Sequence, residues 1–126
     1  MRALLDTHTF LWAITQESRL SQRARSVMES CESCFSVASI WEILIKVQVG
    51  KLSLPSPAGP YVTSKLAANG VQILNVLLDH VLRVESLELH HRDPFDRILI
   101  AQSLEENLPL VTADPVFEKY PVRLIW

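Results

Sequence analysis

The chain reads as an α/β protein with a central, mostly parallel sheet of four to five strands and helices on both faces. Two observations predict this. Short apolar runs, such as residues 2–5 and 108–112, alternate with longer stretches whose apolar residues recur at helical spacing. Strands that alternate with helices build parallel sheets covered on both faces. Three of the runs are also followed closely by an acid, namely Asp6, Glu42 and Asp114. Open α/β sheets bind their ligands at the carboxyl ends of their strands, which is where such acids would lie.

Residues 2–5 are read as the first strand and 7–15 as a helix, with 16–20 a polar connection. Ser21 is a good N-cap for a second helix whose apolar face is Ala24, Val27 and Met28. Residues 34–37 form the second strand. An apolar helix over 38–49 follows, and Gly50 suits the position just past its end. Pro55, Pro57 and Pro60 break the chain. The next helix is expected from about 61 to 68, ending near Asn69-Gly70. Residues 71–74 make a third strand and 78–87 a short helix. Asp93-Pro94 opens a long helix through about 106, because proline suits the first helical position. Residues 108–112 are the fourth strand, 115–119 a helical turn and 122–125 a last short strand. No repeat, low-complexity tract or linker interrupts the 126 residues, so a single domain over 1–126 is expected.

With 48% hydrophobic residues the chain is able to build a real core. Its net charge of −2 provides no basic footprint. Nucleic acid would have to be held by local positive charge or through a metal. No segment is long and apolar enough to span a bilayer. The N-terminus lacks the basic and long apolar regions of a signal peptide, so the cytoplasm is the expected compartment. Cys31 and Cys34 have C-x-x-C spacing but fall where a helix should end, whereas reactive pairs open helices. No second pair completes a zinc site, so buried free thiols are expected.

Each acid has an ordinary structural explanation. Asp6, Asp93 and Asp114 precede helical patterns and suit N-caps. Asp96 falls in a first helical turn, where the helix dipole favours negative charge. Glu42 lies four residues before Lys46, the favourable order for a helical ion pair. The set is harder to explain this way. Asp6 and Asp114 face the same sheet edge. Glu42 stands among Ile40, Trp41, Ile43, Leu44 and Ile45, and Asp96 is followed by Ile98-Leu-Ile-Ala101. Acids in such surroundings are costly without a partner. Gathered together they would repel one another and take up protons unless a cation neutralised them. Oxygen-only ligands select hard divalent ions, Mg²⁺ or Mn²⁺, and such a site suits phosphoryl chemistry.

Four stretches, in order along essentially the whole chain, carry a resemblance: Leu5-Asp-Thr-His-Thr-Phe-Leu-Trp12, Ser39-Ile-Trp-Glu-Ile43, His91-Arg-Asp-Pro-Phe-Asp-Arg97 leading into Ile100-Ala-Gln102, and Thr112-Ala-Asp114. With them the chain resembles the PIN-domain ribonucleases, in particular the VapC-type toxins of bacterial toxin–antitoxin pairs. The resemblance implies a PIN-like three-layer sandwich. It also implies a metal-dependent endoribonuclease with Asp6, Glu42, Asp96 and Asp114 around one or two Mg²⁺ ions. In that reading Asp6 and Asp96 are the main metal ligands, Glu42 and Asp114 complete the pocket, and water attacks the phosphodiester with the 3′-oxygen leaving. Thr112 matches a hydroxyl position that helps order the site. Asp93 belongs to an Asp-Pro-Phe-Asp signature and is read first as a helix cap and second as a supporting ligand. Family members usually form homodimers and are silenced by a cognate VapB-type antitoxin whose tail covers the acidic groove.

Arg97, Arg92 and Lys46 lie near the acids in sequence and are candidates for contacts to RNA phosphates or for pairing with Asp93, Asp96 and Glu42. Pairing is the favoured reading for Lys46. His8, His90 and His91 are taken as structural, because none has an acid at a spacing that would orient it, and His8 is expected to border the pocket. Trp12 and Trp41 are expected to pack in the core. Trp126 is expected to anchor the last strand or lie at a subunit contact. Competing readings are a metal-dependent nuclease acting on DNA or flap structures, a phosphoacceptor receiver domain, and a catalytically silent PIN domain that only binds a partner. The receiver reading wants adjacent acids after the first strand and a late lysine after a strand, whereas Asp6 stands alone.

Overall fold

A computed structural model describes all 126 residues. The sheet has five strands, all parallel: β1 (Arg2–Leu5), β2 (Glu32–Ser36), β3 (Gln72–Leu74), β4 (Leu110–Val111) and β5 (Leu124–Ile125), in the order β3-β2-β1-β4-β5. Six helices accompany them: α1 (Thr7–Thr15), α2 (Gln22–Ser30), α3 (Val37–Gln48), α4 (Ala58–Ala68), α5 (Leu78–Glu85) and α6 (Pro94–Glu106). Two 3-10 turns, Glu17–Arg19 and Pro115–Lys119, fill out connections.

Alternation along β1 divides the core between the two faces. Ala3 and Leu5 join a cluster with Phe10, Phe35, Ile43 and Leu66, while Leu4 joins Cys34, Leu99, Ile100, Leu110 and Phe117 on the other side. The Phe10 and Phe35 rings meet at 4.7 Å between centroids. Every one of these side chains is fully buried or nearly so, and each stabilises the fold by roughly 1.5–3 kcal/mol for the larger residues. That is why the run is apolar without alternation: both faces are covered.

The helix ends follow local chemistry. Ser21 Oγ accepts from Ala24 N–H at 3.0 Å, and Ser36 Oγ accepts from Ala38 N–H at 3.0 Å. Asn107 closes α6 in the left-handed region, with φ of 53°. Gly50, just past α3, has φ of 78°, the conformation expected of it there.

Some boundaries differ from expectation. The sheet is wholly parallel. β2 begins at Glu32, because register pairs Arg2 with Glu32 across the strands. β4 and β5 shrink to two residues each. α4 begins at Ala58, earlier than the prolines suggested. Pro60 lies inside its first turn, where the backbone N–H has no intrahelical partner to lose. Trp41 was expected in the core and is instead 62% exposed, its ring edge-on to Phe95 at 5.2 Å. It faces away from the sheet, while Glu42 and Ile43 beside it are buried.

Candidate active site

The chain runs from β1 outward to β2 and β3, then returns to place β4 on the other side of β1. The reversal therefore lies between β1 and β4, the position at which open α/β sheets leave a crevice. Asp6 follows β1 directly, and Thr112 follows β4 directly.

Asp6 is buried, with 5% of its surface exposed. One carboxylate oxygen, Oδ1, caps α1 by accepting from Thr9 N–H at 2.7 Å. The other, Oδ2, accepts from the Thr112 hydroxyl. Thr112 Oγ1 in turn accepts from Asp114 N–H at 3.1 Å. Burial raises the Asp6 carboxyl above its ordinary range, against the hydrogen bonds from Thr112 and Thr9. One side chain is thus a helix cap and a desolvated acid at once.

Glu42 is equally buried on α3. The Thr7 hydroxyl donates to Glu42 Oε1 at 2.7 Å and lies 2.9 Å from Ser39 Oγ. Lys46 Nζ stands 3.1 Å from Glu42 Oε2, so the ion pair expected from the spacing forms. Thr7 therefore links the residue after β1 to the acid on α3.

Asp96 lies half-buried in the first turn of α6, with Oδ2 2.7 Å from His91 Nε2. Its pKa is raised to about 6, first by burial, with the His91 hydrogen bond opposing and the charges of Asp93 and Glu42 adding to the rise. Asp93 caps α6: its Oδ1 accepts from Asp96 N–H at 3.0 Å. Asp114 is exposed and caps the last 3-10 turn through Val116 N–H at 3.0 Å. It shares a cleft of about 390 Å³ with Asp6, His8, Trp12 and Arg19.

Asp6, Glu42, Asp96 and Asp114 are each held by their own neighbours. No three of the His, Cys, Asp and Glu side chains converge closely enough to hold a metal ion as they stand. The donor chemistry nonetheless fits a hard divalent cation. The ligands on offer are carboxylate oxygens, two of them are desolvated, and one is further strained by like charge, a load that a cation relieves.

Other expectations need revision. His91 has an acid partner after all, Asp96, five residues on and across the start of α6. A helical-spacing argument does not reach it, since the bond forms between a loop and a first turn. Arg97, expected to contact phosphates or an acid, donates instead to the carbonyl oxygens of Val84, Glu88 and His91 and to Tyr120 Oη, at 3.1–3.2 Å. It pins the loop before α6 and pairs with neither Asp93 nor Asp96. Tyr120 Oη completes this knot by accepting from His90 N–H and His91 N–H and donating to Glu88 O. Arg92 is exposed at the rim of an apolar cleft between α3, α5 and α6. His8 borders the acidic cleft as expected. Trp12 is half-buried, edge-on to Trp126 at 5.8 Å, with the Arg19 guanidinium 4.2 Å from its ring centroid. His80, unremarked in the sequence, is buried and 2.8 Å from Glu106 Oε1.

Comparison with solved structures finds the same fold along nearly the whole chain. VapBC from Salmonella typhimurium, bound to DNA, matches with a TM-score of 0.74 at 17% identity, covering 98% of this chain and 96% of that one. VapBC2 from Rickettsia felis, bound to a DNA fragment from its promoter, matches with a TM-score of 0.72 at 17% identity over 98% and 97%. FitAcB from Neisseria gonorrhoeae matches with a TM-score of 0.68 at 16% identity over 98% and 96%. No curated protein sequence matches the chain. The sequence pattern of the PIN domain matches residues 3–122, and the chain belongs to the PIN domain family.

Proposed function

We propose that the protein is a metal-dependent endoribonuclease and the toxin of a type II toxin–antitoxin pair. The observation that carries this reading is the buried Asp6 carboxyl at the crevice between β1 and β4, sharing a cleft with Asp114, together with an Asp96 carboxyl whose proton affinity is raised by burial and by the charges of Asp93 and Glu42. Asp6 and Asp96 would be the main ligands of Mg²⁺ or Mn²⁺, with Glu42 and Asp114 completing the pocket. The bound cation supplies charge neutralisation for the phosphodiester and activation of the attacking water.

The chain's own residues prepare the site. Thr112 and Thr9 fix the Asp6 carboxylate in one orientation. His91 does the same for Asp96. Thr7 and Lys46 hold Glu42. Carboxylates alone would repel the phosphate at the reacting position, so the cation is needed there for contact as well as for reaction.

The neighbours in fold are toxin–antitoxin complexes, and an antitoxin is the proposed partner here too. An arginine from its tail, inserted among the acids, would substitute for the metal's charge. The cytoplasmic location expected from the sequence belongs to the same proposal; no helix is long and apolar enough to cross a membrane.

The test is cleavage of a mixed RNA pool by purified protein in Mg²⁺ or Mn²⁺ against EDTA, alongside Asp6→Asn and Asp96→Asn. Metal-dependent cutting that both variants lose supports the assignment; full activity in either removes that residue from it. A DNA or flap substrate cut in preference to RNA would move the reading to the broader nuclease class. A second reading is a silent PIN domain that only binds a partner. It is favoured by the engagement of each of the four acids with a protein neighbour and by the absence of three converging ligands. Absence of both cutting and metal binding would establish it.

A further inference from the structure

The outer face of α1 carries a feature that the acids do not explain. His8 and Trp12, one turn apart, border two adjoining clefts. The cleft on one side holds Asp6, Asp114 and Arg19. The cleft on the other, also about 390 Å³, holds Lys46 and Lys51. Arg19 shares its cleft with two acids yet forms no ion pair with either. It is held instead over the Trp12 ring, 4.2 Å from the centroid, with Nη1 3.4 Å from Gln16 Oε1. A guanidinium stacked in this way is pre-oriented and keeps donors free for a planar oxyanion. Lys51 is exposed and makes no ion pair. In a chain of net charge −2, these cations line two clefts that share the His8–Trp12 wall and together make a groove past Asp6 and Asp114.

We propose that this groove is the track for a single-stranded RNA backbone, with Arg19 on Trp12 as a phosphate clamp beside the acids and Lys51, next to Lys46, as a second contact farther along α1. The proposal deepens the nuclease reading and rests on it. The chemistry selects a single strand. A polyanion needs cations spaced along its path, and an aromatic ring among them suits unpaired bases. Clefts of about 390 Å³ each are nucleotide-sized and suit a single strand rather than a duplex. An acidic peptide would meet the same cations, but Asp6 and Asp114 in the floor of the first cleft repel carboxylates and offer nothing to bind them.

The test is binding of a fluorescent single-stranded RNA of mixed sequence to the whole protein in EDTA, where cleavage does not interfere, at several salt concentrations. Arg19→Gln and Lys51→Gln, both at exposed positions, are compared with wild type, and Trp12→Leu is added if its melting temperature holds. Each glutamine variant should weaken binding by about tenfold and lower the slope of log K against log salt by about 0.7, the release expected for one phosphate contact on a single strand. A parallel cleavage assay separates the two ideas. Metal-dependent cutting by wild type, with affinity and salt slope unchanged in both variants, overturns the track and leaves the nuclease standing. Duplex RNA binding as tightly as the single strand overturns the single-strand assignment. If wild type neither cuts nor binds RNA, the nuclease reading fails and the track with it.

Discussion

Asp96 is where the electrostatic load is easiest to measure. A carboxyl whose folded pKa is raised from 3.8 to about 6 holds its proton more tightly in the folded chain than in the unfolded one. Between those values the folded state binds more protons, so the metal-free protein loses stability as pH rises through that window. Asp6 acts in the same direction. Asp96→Asn keeps a hydrogen-bond acceptor for His91 and removes the charge. It should stabilise the metal-free protein near neutral pH by about 1–3 kcal/mol and flatten the decline between pH 4 and pH 6, as an order of magnitude. Urea unfolding in EDTA at pH 4.5 and 7.5 reads both effects. Lower stability of Asp96→Asn at pH 7.5 would show that the carboxylate is stabilising as it stands. Added Mg²⁺ should then raise the melting temperature of wild type and not of the variant, because only a ligand bound to the folded state shifts it.

At the scale of elements, α6 shows how a helix start can serve a site. Asp93 caps it through Asp96 N–H, Pro94 occupies the first turn, and Asp96 emerges one turn in beside His91. The cap also places a second negative charge close to Asp96, which adds to its raised proton affinity. Cap and ligand roles for Asp93 separate cleanly by substitution. Asn caps about as well as Asp, whereas Ala costs about 1 kcal/mol. If Asp93 is a cap, Asp93→Asn keeps both melting temperature and RNA cleavage, and Asp93→Ala lowers the first. Loss of cleavage in the well-folded Asn variant would make it a ligand. The knot of Arg97 and Tyr120 belongs to the same element. It ties the end of α5, the loop through His91 and the chain before β5 together, and so sets where His91 meets Asp96.

At the scale of the whole molecule, an apolar surface beside the acids is left uncovered. Between α3, α5 and α6 lies a cleft of about 600 Å³ walled by Val37, Trp41, Val81, Val84, Phe95 and Ile98, with Trp41 62% and Val81 51% exposed. Clustered exposed apolar residues mark association surfaces. The homodimer expected from the resemblance is placed here as a proposal, because Trp41 and Phe95 are the immediate neighbours of Glu42 and Asp96. Self-association through them would set two acidic sites side by side. Trp41→Glu should convert a dimer to a monomer in light scattering while leaving the melting temperature of the protomer within about 2 °C, since little of the ring is buried in the protomer. A dimer that persists in the variant moves the contact elsewhere, and a wild-type monomer removes the dimer.

The sequence by itself determined the α/β class, the type and order of nearly every element, and the acids that follow the strands. These follow from local physics. Buried parallel strands are apolar on both faces, helices carry their own period, and Ser21, Asp93 and Gly50 act within a turn of where they stand. The limits of β4 and β5 were not legible, because a strand ends where its neighbour stops pairing. Nor was the partner of Asp96, the engagement of Arg97 by three carbonyl oxygens, the outward face of Trp41 or the seat of Arg19 on Trp12. Each depends on which surfaces the folded chain brings together or leaves uncovered. The pattern around Trp41 is apolar, but a helix with apolar residues on most of its circumference does not say which of them the sheet will cover. Only the tertiary structure decides that.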